Sequence, residues 1–270
     1  MRLFAIGVIL SLLAPSFVFG WGGDGHQIVC LIAEARLTPI AKAAIHDLLG
    51  DDVDISDAEI ASWADQIRRE RRATAPWHYV NIPVDAAAFD AKRDGKNGEN
   101  IINKIVAFEK FLADTTAPKR DRTDALKFLV HFVGDLHQPL HCVDRNGDKG
   151  GNGRLVFFGE RKKAVSLHQT WDSLILLRHK GKTRVLDYAD ALNTKITNEQ
   201  AIEWIKGTPE DWANQSHRIA VSSVYRDVPA DGPPPKLTDE YIEKSGEVID
   251  EQLAMAGVRL AAMLNRCFPE

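Results

Sequence analysis

Two histidine–aspartate pairs share one spacing in this 270-residue chain: His131 with Asp135, and His168 with Asp172. Four residues apart on a helix, both side chains of a pair leave the same face, one turn from each other. A pair so placed makes either a hydrogen bond along the helix surface or part of a metal site. Imidazole nitrogen and carboxylate oxygen are zinc donors, and a catalytic zinc keeps one position open for water. His141 lies just past the turn Gln138-Pro139-Leu140, close to the end of the first pair's helix. Two such pairs beside the glycine-rich run 150–153, in a chain that reads as secreted, turn the weight toward metal.

The elements that must present these residues read as helices. Thr38-Pro39 is an N-cap followed by proline at the first helical position, and Gly50 closes that helix. Ser56-Asp57-Ala58-Glu59 predicts a capping box opening a helix that carries Trp63, Asp65 and Arg68. A helical pattern over 123–136 runs until Pro139 stops it. Further starts fall at Thr197, at Thr208-Pro209 and at Thr238, the last opening a long amphipathic helix. Polar loops at 85–100, 144–153 and 226–236 separate these elements. Segments 154–158 and 164–167, joined around Gly159-Glu160, predict the one hairpin. The expected fold is mainly α: a single helical domain over 21–270 with a small β-hairpin.

The first twenty residues have the layout of a secretory signal peptide: Arg2, an apolar run over 3–13, then small residues at Val18 and Gly20. Cleavage between Gly20 and Trp21 is expected, since the apolar run is too short to span a bilayer. The formal net charge of −4 argues against an electrostatic grip on a nucleic-acid duplex. It leaves a nuclease open, because bound cations are missing from that sum. With Cys30, Cys142 and Cys267, at most one disulfide can form within the chain, so the fold cannot depend on a disulfide framework.

Several residues invite a functional reading and do not sustain it. Asp144-Arg-Asn146-Gly-Asp148 starts like a calcium loop, but Lys149 holds the required glycine position and Leu155 the required glutamate. The glycine run 150–153 precedes a strand rather than the helix that a phosphate cradle needs. His46, His179 and His217 lack acidic partners at metal spacing and read as structural or surface residues. Trp63, Trp77, Trp171 and Trp212 read as packing around the metal-bearing helices.

The segment His131-Phe-Val-Gly-Asp135-Leu-His-Gln-Pro-Leu-His141 resembles the signature of the S-one/P-one nuclease family, zinc-dependent single-strand endonucleases and 3′-nucleotidases related to bacterial zinc phospholipase C. The resemblance extends over the mature chain through Trp21-Gly22 with His26, Trp63-Ala-Asp65 with Arg68, Trp77-His78-Tyr79, Gly150-Gly151-Asn152 and Leu167-His168-Gln-Thr-Trp171-Asp172. It implies the helical fold of the phospholipase C and nuclease type, and three zinc ions. Asp65, His78, His131 and Asp135 would hold the first, and His141, His168 and Asp172 the second. His26, the bridging Asp135 and the α-amine and carbonyl of Trp21 would hold the third, so that removal of the leader completes the site. His137, between two of these ligands, is not used by the family pattern; it is expected to support a neighbouring ligand or to face solvent.

The resemblance also implies a reaction, the hydrolysis of a phosphodiester. Asp65 would orient the attacking water, Arg68 would stabilise charge on the phosphate, and products would end in 5′-phosphate and 3′-hydroxyl. Tyr79 would stack on an unpaired base, with Asn81 and Asn152 reaching base edges. Ser166 stands where relatives often carry Asn, and Gln215 where they usually carry Glu. Single-stranded nucleic acid and nucleotides are therefore the expected substrates of a monomeric, secreted or periplasmic enzyme without stable membrane association. A phospholipase C using the same cluster and a non-catalytic zinc-sequestering protein are the alternatives. Neither a lipid-binding domain nor an apolar helix flanking the site supports the first, and storage gives Arg68 nothing to do.

Overall fold

The computed structural model describes residues 21–269, so the expected leader at 1–20 lies outside the described residues. Among the described residues, six α-helices precede a short hairpin: α1 (Gly23–Glu34), α2 (Pro39–Leu49), α3 (Ala58–Ala61), α4 (Trp63–Ile67), α5 (Ile101–Ala113) and α6 (Lys119–Leu136). The hairpin pairs β1 (Leu155–Val156) antiparallel with β2 (Val165–Ser166). After it come α7 (Leu167–Gln169), α8 (Ile175–Lys180), α9 (Val185–Lys195), α10 (Asn198–Trp204), α11 (Pro209–Ile219) and α12 (Asp239–Cys267). The chain is mainly α, as its sequence predicts. Among the described residues, no helix is long and apolar enough to cross a membrane.

Helix α6 is the axis of the fold. Its first turn is Lys-Arg-Asp-Arg, but every residue from Phe128 to Leu136 is buried. A helix without a polar face must be enclosed by neighbours, and α1, α5 and α12 pack around it. His131 and Asp135 sit in this enclosed half, which is why the chemistry lies inside the protein. Long α12 packs along α1 at Gly257, where a β-carbon would come within 2.6 Å of Ile32 Cβ; only glycine lets the two backbones approach so closely.

The expected caps at Thr38, Thr197, Thr208 and Thr238 all form. The capping box at Ser56 does not. Its hydroxyl donates to Glu34 Oε2 at 2.8 Å and its amide to Glu34 Oε1 at 3.0 Å. A tertiary carboxylate takes the groups that the local motif would have used, and the helix starts at Ala58 instead. It then breaks at Ser62, so that Asp65 sits on separate α4 and Arg68 caps its C-terminus. The hairpin is also shorter than its pattern predicts. Ser166 ends the ladder and its side chain caps α7, accepting from Gln169 N, while Phe157 pairs with the 235–237 segment. The three cysteines are buried and free.

Candidate metal centre

Four separate elements deliver the first group of side chains. His26 comes from α1, Asp65 from α4, His78 from the end of a 3-10 helix (Arg72–His78), and His131 with Asp135 from α6. Asp135 is fully buried at their centre. Its Oδ2 lies 2.9 Å from His78 Nδ1 and 3.3 Å from His131 Nε2, and its Oδ1 lies 3.4 Å from His26 Nε2. Asp65 stands beside them, 3.7 Å from His131 Nε2 and 3.8 Å from His78 Nδ1. The rings of His26 and His131 stack with centroids 3.8 Å apart. That approach needs Gly134, since a β-carbon there would lie 2.9 Å from His26 Nδ1. Trp21, wholly buried, borders the same point, with Cδ1 3.8 Å from that position.

The second group is assembled from the turn after α6 and from the helix after the hairpin. His141 lies on a 3-10 turn (Pro139–Cys142), and its ring stacks near that of His168, with centroids 5.1 Å apart. His168 Nε2 lies 3.2 Å from Asp172 Oδ2. Here the expected α-helix is modified: Thr170–Leu174 is a single π-helical turn between α7 and α8. Such turns concentrate at functional sites. His141 Nδ1 also lies 3.7 Å from Asp135 Oδ1, so one carboxylate borders both groups.

Backbone carbonyls fix three of the imidazoles. Nδ1 of His131 donates to Ala61 O at 2.9 Å, that of His141 to His78 O at 2.7 Å, and that of His168 to Gly150 O at 2.6 Å. A ring that donates through Nδ1 presents the lone pair of Nε2 to the centre, the arrangement that orients a metal-binding histidine. In and around the centre, His26 Nδ1 and Nε2, Asp65 Oδ1, His78 Nε2, His131 Nε2, Asp135 Oδ1 and His141 Nε2 are buried without a hydrogen-bond partner. Buried polar atoms left in this state are costly. Their clustering fits cations, and three groups, two of them sharing His131, have donor atoms close enough to hold one: His26, His131 and Asp135; Asp65, His78 and His131; His141, His168 and Asp172.

Crowding and burial move these groups far from their ordinary titration ranges. Burial pushes the Asp172 carboxyl well above its ordinary range, against the hydrogen bond from Gln138, with Asp135 and Asp65 adding to the rise. Burial together with nearby His131 lowers His26 to about 4. For His131 burial works in the same direction but is outweighed by Asp135 and Asp65, which raise it to about 9.

Arg68 reaches the edge of this centre, with Nη2 3.5 Å from Asp65 Oδ1. Tyr79, Asn81 and Asn152 line a cleft of about 250 Å³ with Leu140, Lys149 and His168. The structure therefore brings together every metal-site, catalytic and base-contact residue singled out in the sequence. It adds Gln138, which donates Nε2 to Asp172 Oδ1 while its Oε1 accepts from Leu140 N; its place as the residue before Pro139 was the only signal. His137 is buried and faces away from the cluster, with Nδ1 donating to Val133 O and Nε2 accepting from Arg259 at 2.7 Å. It does not face solvent. It helps to seat α12 on α6.

A helical domain with a buried, cation-demanding His/Asp cluster, an arginine at its edge and an aromatic-lined cleft beside it defines a metal-dependent hydrolase. A family model described as S1/P1 Nuclease matches residues 21–269, and the chain belongs to this family of metal-dependent phosphodiester hydrolases. The chain is 34% identical to Endonuclease 2 of Arabidopsis thaliana, across 97% of this chain and 95% of that protein. It is 30% identical to Nuclease S1 of Aspergillus oryzae, across 94% of each. With Nuclease P1 of Penicillium citrinum it shares 29% identity across 91% of this chain and 97% of that one.

Proposed function

We propose that this protein is a secreted, zinc-dependent endonuclease that hydrolyses phosphodiester bonds of single-stranded DNA and RNA to 5′-phosphate products, and that it also acts as a 3′-nucleotidase. The observation that carries the reading is the cluster of His and Asp side chains beside Arg68, whose buried nitrogen and oxygen atoms lack hydrogen-bond partners. Histidine and aspartate in this mixture suit zinc better than calcium or magnesium, which favour all-oxygen sites. Asp65, His78, His131 and Asp135 would hold one zinc, His141, His168 and Asp172 another, and His26 with Asp135 a third. Bound zinc supplies a water acidic enough to ionise near neutral pH and positive charge for the developing oxyanions.

The chain's own groups do the rest. Asp65 reaches the centre from the side of Arg68, where it can accept a proton from the attacking water and hold it in line. Arg68, with Nη2 3.5 Å from Asp65 Oδ1, would stabilise the negative charge that grows on a phosphate bound at the centre. Tyr79 offers a ring on which an unpaired base can stack, a contact that a paired base inside a duplex cannot make. Asn81 and Asn152 offer amide groups to the base edge. The names of the relatives, nucleases throughout, support a nucleic acid as substrate rather than a phospholipid.

The N-terminus belongs to this proposal. Removal of residues 1–20 would leave Trp21 with a free amine, whose lone pair can bind a metal, whereas an amide nitrogen cannot. The burial of Trp21 against Gly25 and Gly134, close to His26, supports that role for its amine and carbonyl. The test is an activity panel of single-stranded DNA, RNA, 3′-AMP and phosphatidylcholine, run on protein whose terminus is confirmed as Trp21 by mass spectrometry. Cleavage of the first three, zinc content near three per chain and loss of both on chelation are expected. Cleavage of the lipid alone, or full activity in a metal-free preparation, overturns the proposal.

A further inference from the structure

The loop from Asp144 to Asn152 is held by its own backbone in a left-handed path. Asn146, Gly147, Lys149, Gly150 and Gly151 all have positive φ. Asp144 fixes the turn, with Oδ2 accepting from Gly147 N at 2.7 Å and Oδ1 from Lys149 N at 2.9 Å. The Lys149 carbonyl then accepts from Asn152 Nδ2 at 2.9 Å, which orients the amide that lines the cleft. Two of these three bonds use the backbone of Lys149 and none uses its side chain.

Glycine takes this conformation without strain, and the chain places it at 147, 150 and 151. Asn146, at φ +57°, is of a type that tolerates the region, whereas Lys149, at φ +56°, is not. A branched-off side chain in the left-handed region is unfavourable and persists where something else selects it. Its location suggests what does so. Lys149 lines the cleft with Tyr79, Asn81 and Asn152, and it is the one lysine or arginine in that lining. Among the described residues its ammonium has no carboxylate partner, although nearby Asp144 and Asp148 accept from backbone groups, from Tyr225 and from Arg145. An exposed, uncommitted cation beside an aromatic ring and two amides matches a nucleotide with an anionic backbone.

We propose that Lys149 is a substrate-contacting residue that binds the phosphate of the nucleotide whose base stacks on Tyr79, strengthening the hold on polyanionic strands over a mononucleotide. The assignment rests on the nuclease reading above. It predicts a ground-state contact, which changes KM and salt dependence rather than the chemical step.

The test compares Lys149→Gly, Lys149→Gln and Lys149→Arg in the zinc-loaded mature protein, with Lys182→Gln, an exposed lysine outside the cleft, as the charge control. Lys149→Gly and Lys149→Gln should each raise KM for a single-stranded oligonucleotide about fivefold, the size of one charge-assisted contact, and leave kcat within about twofold. The slope of log(kcat/KM) against log salt should become shallower by about 0.7, the increment for one phosphate contact on a single strand. Lys149→Arg should keep both, and Lys182→Gln should change neither. Because glycine relieves the backbone, Lys149→Gly should melt no lower than the wild type. If Lys149 only shapes the loop, Lys149→Gly will match the wild type in KM and salt slope, and the assignment fails while the nuclease reading stands. A wild-type enzyme inactive on single strands would instead overturn the nuclease reading and this inference with it.

Discussion

Asp135 Oδ1 stands 3.4 Å from His26 Nε2 across the contact between α6 and α1. The other oxygen of the same carboxylate faces His78 and His131. One carboxylate thus stands between His26 on one side and His78 with His131 on the other, whereas His168 belongs only to the group it forms with His141 and Asp172. Asp135→Asn is expected to lose more bound metal per chain than His168→Ala, measured by elemental analysis of the folded variants. Equal losses would remove Asp135 from the bridging position.

The stacking of His26 on His131 depends on the absence of a side chain at Gly134. Gly134→Ala puts a methyl group 2.9 Å from His26 Nδ1 and 3.2 Å from its Cε1, so the ring must move. Overpacking of this kind costs about 1–3 kcal/mol, and a displaced His26 leaves its donor group incomplete. We expect a lower Tm together with reduced metal content. A variant that melts lower but keeps all its metal would show that His26 is packing and not a ligand.

Tyr79 lines the cleft, and its ring is not one of the imidazole and carboxylate donors of the three groups. Tyr79→Ala should weaken binding of single-stranded substrate by about 1–3 kcal/mol, the value of a base-stacking contact, with metal content unchanged. Steady-state kinetics on an oligonucleotide, beside metal analysis, checks both halves. If nucleic-acid cleavage is untouched and a lipid substrate suffers instead, the cleft was misassigned.

Metal binding should release protons. In the protein without metal, burial opposes a charge on His131, but Asp135 and Asp65 outweigh it and raise the ring to about 9. Burial holds Asp172 above its ordinary range. Raised values mean that both groups keep their protons to higher pH than they would in the unfolded chain, and ligation requires a neutral imidazole and an ionised carboxylate. Affinity for metal is therefore expected to rise with pH through neutrality and to fall on acidification. Calorimetric titration with zinc in buffers of different ionisation enthalpy should show net proton release near pH 7. Heats independent of the buffer would refute it.

The sequence by itself determined the two His/Asp pairs, because helical spacing is a local property: residues four apart share a face wherever the helix lies. It also determined most helix starts, since a threonine cap acts on amides within its own turn. The family resemblance added Asp65, His78 and His26, yet no spacing places three residues from three distant elements around Asp135. That arrangement follows from the burial of α6, which draws α1, α4 and the 3-10 helix before Tyr79 against one face. Packing likewise decided where local signals failed. Glu34 captured Ser56 and cancelled a capping box, Arg259 took His137 away from the metal cluster, and Gln138 acquired Asp172 as its partner. In each case a hydrogen bond between residues far apart in the chain replaced a local or solvent contact. Such a bond exists only once burial has excluded water from both partners, and for that reason only the tertiary structure decided it.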